Sequence, residues 1–204
     1  MPKSISKRKI REQILERSIR LFAKAGYDGV SMRDVAVAVG LTPAALYYHF
    51  SDKEQLYVDA VGYAFRKVTG VLKSAIEAAA TPLAQLESVV GVATKMLAKD
   101  KSLVRLMQWV KLDSDRQRLQ KLGTTAFDEL FLTIHKLVAK LGSGYNASLL
   151  TVSIASMVVF PFEVMDTCRF LPGYQSQNDN PAILAKHVVG LLCHGLQGVA
   201  DGNQ

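Results

Sequence analysis

Apolar residues recur at intervals of three and four along nearly the whole chain, the spacing that places side chains on one face of a helix. The first apolar stripe consists of Ile14, Leu15, Ser18, Ile19, Phe22 and Ala23. Nowhere does the sequence alternate with the two-residue period of a strand. The pattern therefore predicts an all-α chain of about nine helices.

Capping signals near the N-terminus delimit two short helices. Ser31 is a suitable N-cap for a helix over residues 32–39, and Gly40 suits its C-terminal end. Thr42 then caps a third helix, with Pro43 at the first helical position, where a missing N–H costs nothing. Two short helices joined by a tight turn predict a helix-turn-helix.

The remaining helices are longer, and their boundaries follow from Pro, Gly and Asn signals. Ser51 or Asp52 caps a long fourth helix, and Gly123 is a candidate break in a later one. The later helices are predicted over residues 82–99, 102–112, 113–141, 146–170 and 181–200. The start of the long fourth helix predicts two domains, one over residues 1–52 that holds the helix-turn-helix and a second helical domain over residues 53–204.

Two runs of sequence carry a family resemblance. Residues 21–36 read LFAKAGYDGVSMRDVA, and residues 39–56 read VGLTPAALYYHFSDKEQL. With their flanks, over residues 14–61, they resemble the DNA-binding domain of the tetracycline-repressor (TetR) family. The resemblance implies a dimeric transcriptional regulator, expected to be a repressor, that inserts residues 42–49 of each chain into the major grooves of a palindromic double-stranded operator.

The resemblance also implies a role for each matching position. Hydroxyls and helix-start amides of Ser31 and Thr42 would contact phosphates. Arg33 would reach the groove or the backbone beside the recognition helix, and Tyr48 would pack or read beside the residues that hold the phosphate backbone. The side chains expected to face base edges are Pro43, Ala44 and Ala45, and those expected to hold the phosphate backbone are Tyr47, His49 and Lys53.

Alternatives remain for two of these side chains. Tyr47 could instead be a half-buried tyrosine whose hydroxyl is satisfied within the protein. His49 could be a histidine that hydrogen-bonds at a helix end. Phe22, Leu46 and Phe50 are expected in the core of the domain.

The C-terminal two-thirds has no comparable motif. The helix over residues 146–170 is apolar nearly all round, and the last helix has a broad apolar face, so we expect homodimerisation through the last two helices. A pocket for a small apolar or amphipathic effector is expected along Trp109, Phe127, Phe131, Met157, Phe160 and Phe162, although the alternative for each of these, taken singly, is a core residue. Pro161 should kink its helix.

Charge and cysteine content bound the remaining possibilities. The net charge is +7, and the first 33 residues hold nine Lys or Arg against three Asp or Glu, which suits a phosphate backbone. Two cysteines outside any C-x-x-C pair indicate a reducing compartment. The apolar stretch over residues 149–162 is shorter than the ~20 residues of a membrane span, so no membrane association and a cytoplasmic location are expected.

No phosphate-binding loop, nucleophile motif or metal-ligand spacing is evident, so we expect no enzymatic activity, no cofactor and no metal. The main hypothesis is a TetR-like repressor released from DNA by a small effector. The alternative keeps the DNA-binding domain but gives the C-terminal domain a protein partner in place of a small molecule.

Overall fold

The computed structural model of the protein describes residues 7–141 and 144–200, with side chains described as far as His194. Those residues form α-helices, a π-helical turn (Gly123–Phe127) and a short 3-10 turn (Ser176–Asp179). The α-helices are α1 Lys7–Ala25, α2 Met32–Val39, α3 Pro43–His49, α4 Lys53–Glu77, α5 Pro82–Lys99, α6 Lys101–Leu112, α7 Arg116–Leu122, α8 Asp128–Ala139, α9 Ala147–Cys168 and α10 Pro181–Ala200. The predicted all-α class is confirmed.

Gly123 widens a helix and does not break it. Leu122, Gly123 and Asp128 all keep right-handed helical backbone angles through the π-turn. α7, the π-turn and α8 therefore follow one helical path, as the sequence predicted for this region apart from the break. The N-terminal cap is Asp115, whose side chain accepts hydrogen bonds from the N–H groups of Gln117 and Arg118.

The first three helices begin and end where their capping residues require. Ser31 caps α2, and Gly40 ends it with a φ of 71°, in the left-handed region that glycine adopts without strain. Thr42 caps α3 by accepting a hydrogen bond from the Ala45 N–H, and Pro43 occupies the first turn. Phe22, Leu46 and Phe50 are buried, as predicted.

The chain divides into two compact units, and neither is a continuous stretch of sequence. Unit 1 comprises the described part of Met1–Lys67 together with Arg105–Asp128, and unit 2 comprises Val68–Val104 and the described part of Glu129–Gln204. The predicted domain boundary after residue 52 coincides with the start of α4, but the compact units divide elsewhere. The physical reason is that α6 and α7 supply side chains that pack on the N-terminal helices. One of them is Trp109, whose ring lies where a Cβ on Gly26 would come within 2.7 Å of it.

In unit 2, α5 packs against both α9 and α10. Its buried side chains include Leu86, Val90 and Leu97. α9 buries Thr151, Ile154 and Val158. Other large apolar side chains of α9 and α10 are exposed in the single chain: Leu149, Val152, Phe160, Ile183 and Leu191. The two C-terminal helices thus bury one face and leave a second apolar face uncovered.

α9 extends beyond the apolar stretch over residues 149–162. It has 22 residues, and the mean hydropathy of its most apolar 18-residue window is 1.8, so by length and composition it could cross a membrane. The apolar stretch over residues 149–162 is itself shorter than a membrane span, but the helix continues through the polar residues at both of its ends. A single such helix is weak evidence for a membrane span, since an apolar helix of a protein core or interface has the same composition.

Two glycines offer a matched test of the backbone argument. Neither Gly40 nor Gly70 has a neighbouring atom within 4 Å of the position that a Cβ would take, but only Gly40 has a positive φ. We expect Gly40→Ala to lower the free energy of unfolding by about 1 kcal/mol through left-handed strain. We expect Gly70→Ala, inside α4, to raise it by about 0.5–1 kcal/mol. Urea denaturation measures both, and equal effects of the two substitutions would contradict the assignment of strain to Gly40.

Candidate nucleic-acid interface

The first turn of α2 is organised by a reciprocal hydrogen-bonded cap. The Ser31 hydroxyl donates to Oδ2 of Asp34 at 2.6 Å and accepts from the Asp34 N–H at 3.2 Å, while the Ser31 N–H donates to the same carboxylate at 2.8 Å. These hydrogen bonds lower the pKa of Asp34. The predicted phosphate contact of Ser31 would therefore have to share a hydroxyl whose proton already points at a carboxylate.

The start of α3 carries small side chains, most of them apolar and exposed. Thr42, Pro43 and Ala44 are exposed, and Ala45 is half-buried. The Thr42 Oγ1 atom accepts from the Ala45 N–H at 3.2 Å, which fixes the first turn. Small side chains at an exposed helix start allow close approach of another surface, which suits the base-edge contacts expected of Pro43, Ala44 and Ala45.

The two tyrosines of α3 are exposed. Tyr47 is 52 % exposed. This exposure argues against the alternative of a half-buried tyrosine satisfied within the protein. Tyr48 is 71 % exposed, and its hydroxyl accepts a hydrogen bond from Nζ of Lys7 at 3.3 Å. The Lys7 ammonium also lies 4.6 Å from the centre of the Tyr48 ring, a cation–π contact.

His49 is half-buried at the end of α3, and its Nδ1 atom is buried without a hydrogen-bond partner. The alternative of a histidine satisfied at a helix end therefore does not describe this nitrogen. Burial lowers the pKa of the imidazole, and the nearby cations Lys7 and Arg11 lower it further. Protonation of the His49 imidazole is thus disfavoured in the free protein.

Arg33, Tyr47, Lys53 and Ser31 line one open groove, with a volume of about 560 Å³, that we call the Ser31–Lys53 groove. Arg33 is exposed. Lys53 is half-buried, and its Nζ donates to the Tyr27 carbonyl oxygen at 3.1 Å. The structure therefore brings four of the ten predicted DNA-binding residues to one groove, while Tyr48 and His49 lie beside Lys7.

The residues predicted to line an effector pocket fall in different parts of the chain. Trp109 and Phe127 belong to unit 1, where Phe127 packs edge-to-face on Phe65 at 4.6 Å. The other four belong to unit 2: Phe131, Met157, Phe160 and Phe162. Phe131 stacks on His135 at 5.7 Å, and Phe160 is exposed. Phe127 is half-buried against Phe65 of α4, and Trp109, which is 38 % exposed, lies against Gly26.

Sequence reasoning missed Lys7 as a specific neighbour of the recognition helix. Its charge was included in the basic N-terminal segment, but its contact with Tyr48 joins residues far apart in the chain. No periodicity could have indicated this pairing, because it depends on how α1 crosses α3.

The chain is similar in sequence to a known domain family and to known regulators. Residues 14–60 match the domain family described as bacterial regulatory proteins, tetR family. The chain is 28 % identical over 142 residues to the HTH-type transcriptional regulator PksA of Bacillus subtilis, covering 69 % of this chain and 68 % of PksA. It is 33 % identical over 63 residues to the biofilm operon icaADBC HTH-type negative transcriptional regulator IcaR of Staphylococcus aureus, covering 31 % of this chain and 34 % of IcaR.

The whole fold is shared more widely than the sequence. The transcriptional regulator FadR from Bacillus subtilis, solved in complex with stearoyl-CoA, superimposes with a TM-score of 0.76 at 17 % identity. The superposition covers 90 % of this chain and 98 % of FadR. This likeness extends the agreement from the N-terminal helices to the helices of unit 2.

A capped helix-turn-helix with exposed tyrosines, in an all-helical chain, defines a DNA-binding transcriptional regulator. Residues 14–60 match the tetR family of bacterial regulatory proteins, and the chain is similar in sequence to the HTH-type transcriptional regulator PksA.

The environment of His49 predicts a pH dependence of DNA binding. Because the pKa of His49 is lowered in the free protein and an approaching phosphate would raise it, binding should take up a proton. Operator affinity should therefore rise as pH falls from about 8 to about 5.5, and His49→Gln should remove that component.

Fluorescence anisotropy at fixed salt measures this pH dependence. The matched control is His135→Gln in unit 2, since Nδ1 of His135 is also buried without a hydrogen-bond partner. If His49→Gln left the slope of affinity against pH unchanged, or if His135→Gln abolished it, the role given to His49 would be wrong.

Proposed function

We propose that the protein is a repressor that binds a palindromic operator as a two-fold dimer and is released by a small apolar or amphipathic effector. The observation that carries the proposal is the exposed ridge of α3, formed by Tyr47 and Tyr48, together with Arg33 and Lys53 in the lining of the Ser31–Lys53 groove. The name of IcaR, a negative regulator that is 33 % identical to this chain over 63 residues, supports repression over activation.

The Ser31–Lys53 groove would contact the phosphate backbone, and the start of α3 would contact base edges. Arg33 and Lys53 would neutralise phosphates along the groove, and Tyr47 would donate a hydrogen bond to the same backbone. The helix-start amides at Ser31 and Thr42 favour phosphate at those ends. Pro43, Ala44 and Ala45 would face base edges, where methyl groups can contact thymine. Tyr48 and His49 would complete the contact on the side of Lys7.

The apolar face of α9 and α10 is best covered by a second copy of the chain. Leu149, Val152 and Phe160 of α9, with Ile183 and Leu191 of α10, are exposed in the single chain. A soluble protein rarely leaves such a face open to water, and a two-fold axis pairs the same surface on both subunits. A dimer would present two recognition helices to half-sites that are one helical turn, or a multiple of a turn, apart.

The effector would bind within unit 2, where Phe131, Met157 and Phe162 provide apolar side chains. Phe131 is partly exposed, whereas Met157 and Phe162 are half-buried. The stearoyl-CoA complex of the similarly folded FadR favours an acyl thioester of coenzyme A, which is amphipathic, over a small polar ligand. For release, the effector must bind the state with low DNA affinity more tightly than the operator-bound state.

A cytoplasmic location follows from this function, since the operator is there. Cys168 and Cys193 are free thiols, which suits a reducing compartment. Coverage of α9 by a partner subunit also accounts for its apolar character without a membrane.

Selection of binding sites from random DNA tests the proposed function, and titration of the selected operator tests the residues. We expect Tyr47→Ala and Lys53→Ala each to weaken binding about tenfold on all sequences alike, with Lys53→Ala lowering the salt slope by about one. Tyr145→Ala, which replaces a tyrosine of unit 2 with 48 % exposure, is the matched control. Acyl-CoA compounds of graded chain length should then release the operator. Failure to enrich any palindrome at low salt would contradict the proposal.

The dimer interface is tested by placing a charge on it. Leu149 is 70 % exposed on α9, and Leu112 is 74 % exposed at the end of α6. We expect Leu149→Glu to shift the protein to a monomer at micromolar concentration in sedimentation velocity, because a buried unpaired carboxylate opposes association. Leu112→Glu should remain a dimer. A monomeric unsubstituted protein, or a dimeric Leu149→Glu variant, would count against an interface on α9.

A further inference from the structure

Two cations lie over the ring of Tyr27. The guanidinium carbon of Arg118, from α7, is 3.8 Å from the ring centre, and Nζ of Lys53, from the first turn of α4, is 4.0 Å from it. Both distances are those of favourable cation–π contacts. The ring is also held edge-on by Tyr57, with centroids 5.2 Å apart. Like charges on one ring repel, so the arrangement requires a counter-charge.

Asp113 supplies that counter-charge in a buried, two-pronged ion pair. Its carboxylate accepts from Nε of Arg118 at 2.5 Å and from Nη2 at 2.8 Å. The side chains of Arg118 and Asp113 are only 10 % and 4 % exposed. A buried bidentate pair fixes the plane of the guanidinium as well as its position. The guanidinium of Arg118 is therefore held in a fixed plane, and the Tyr27 ring packs against it.

α7 is joined to the start of α4 at a second point. Lys121 forms an ion pair with Glu54, the residue that follows Lys53. Beyond α7, the π-turn approaches α4 at Gly62, where an added Cβ would lie 3.7 Å from the Thr125 carbonyl oxygen. Phe127 then packs on Phe65. The contacts from α7 and the π-turn thus follow α4 from its first turn to Phe65.

We propose that Arg118 is a positioning residue for DNA binding: it holds the Tyr27 ring, and the ring and carbonyl of Tyr27 hold the ammonium of Lys53 at the edge of the Ser31–Lys53 groove. This inference rests on the proposed function and deepens it. A lysine has a long flexible stem, so fixing its ammonium before DNA arrives reduces the entropy lost on binding. Arg118 itself is buried and contacts no phosphate in this scheme.

A double-substitution cycle on the selected operator tests the coupling. We expect Arg118→Gln to weaken binding several-fold and to lower the salt slope by up to about one, in the same direction as Lys53→Ala. The variant with both substitutions should bind about as well as Lys53→Ala alone, because each substitution removes the same contact of Lys53 with DNA. Arg116→Gln, an exposed arginine on the same helix, is the matched control and should keep the wild-type slope. Additive effects of Arg118→Gln and Lys53→Ala would overturn the inference.

A measurement on the free protein separates positioning from a general loss of structure. The ε-methylene protons of Lys53 should be shifted upfield by the Tyr27 ring current, and that shift should shrink in Arg118→Gln but not in Arg116→Gln. If Arg118→Gln does not fold, Arg118→Lys, which keeps the charge but loses the two-pronged pair, should show a reduced shift. An unchanged Lys53 shift in the folded Arg118 variant would refute the positioning role even where DNA binding holds. A wild-type chain that binds no DNA but shows the shift would instead refute the proposed function.

Discussion

Burial of Leu46 and Phe50 is the interaction on which the recognition surface depends. α3 has only seven residues, and a helix of that length is not stable in water by itself. Its inner face is held because Leu46 is fully buried and Phe50 is almost so, and its ends are held by Thr42 and by the hydrogen bond from the Phe50 N–H to the Leu46 carbonyl. The exposed tyrosines keep a defined direction only because this small core fixes the backbone beneath them.

Local chemistry made the N-terminal helices predictable. The bounds of α2 and α3 follow from Ser31, Gly40 and Thr42, since capping depends on residues within one turn. The order of the remaining helices followed from apolar periodicity, which is also a local property of the sequence. At Gly123 the sequence signal was ambiguous, because glycine can end a helix or lie within one.

Contacts between distant segments could not be predicted in this way. The ring of Tyr27 is shared by residues of α4 and α7, and the sequence interval between them carries no periodic signal. The same limit explains why the six residues predicted to line one effector pocket lie in two different units. Trp109 and Phe127 were grouped with α9 side chains because all are large and apolar, yet composition alone does not indicate which unit a side chain packs into. Their places in unit 1 follow from Gly26 and Phe65.

The contact between Trp109 and Gly26 has an optical consequence. The chain contains one tryptophan, so its indole emission comes from a single place, the junction of α6 with the end of α1. Gly26 has a φ of 71° and no room for a side chain, so the indole lies directly against the backbone. Any displacement of α6 along α1 would alter the hydration of that ring. The protein therefore contains an intrinsic fluorophore suited to reporting conformational change without a label.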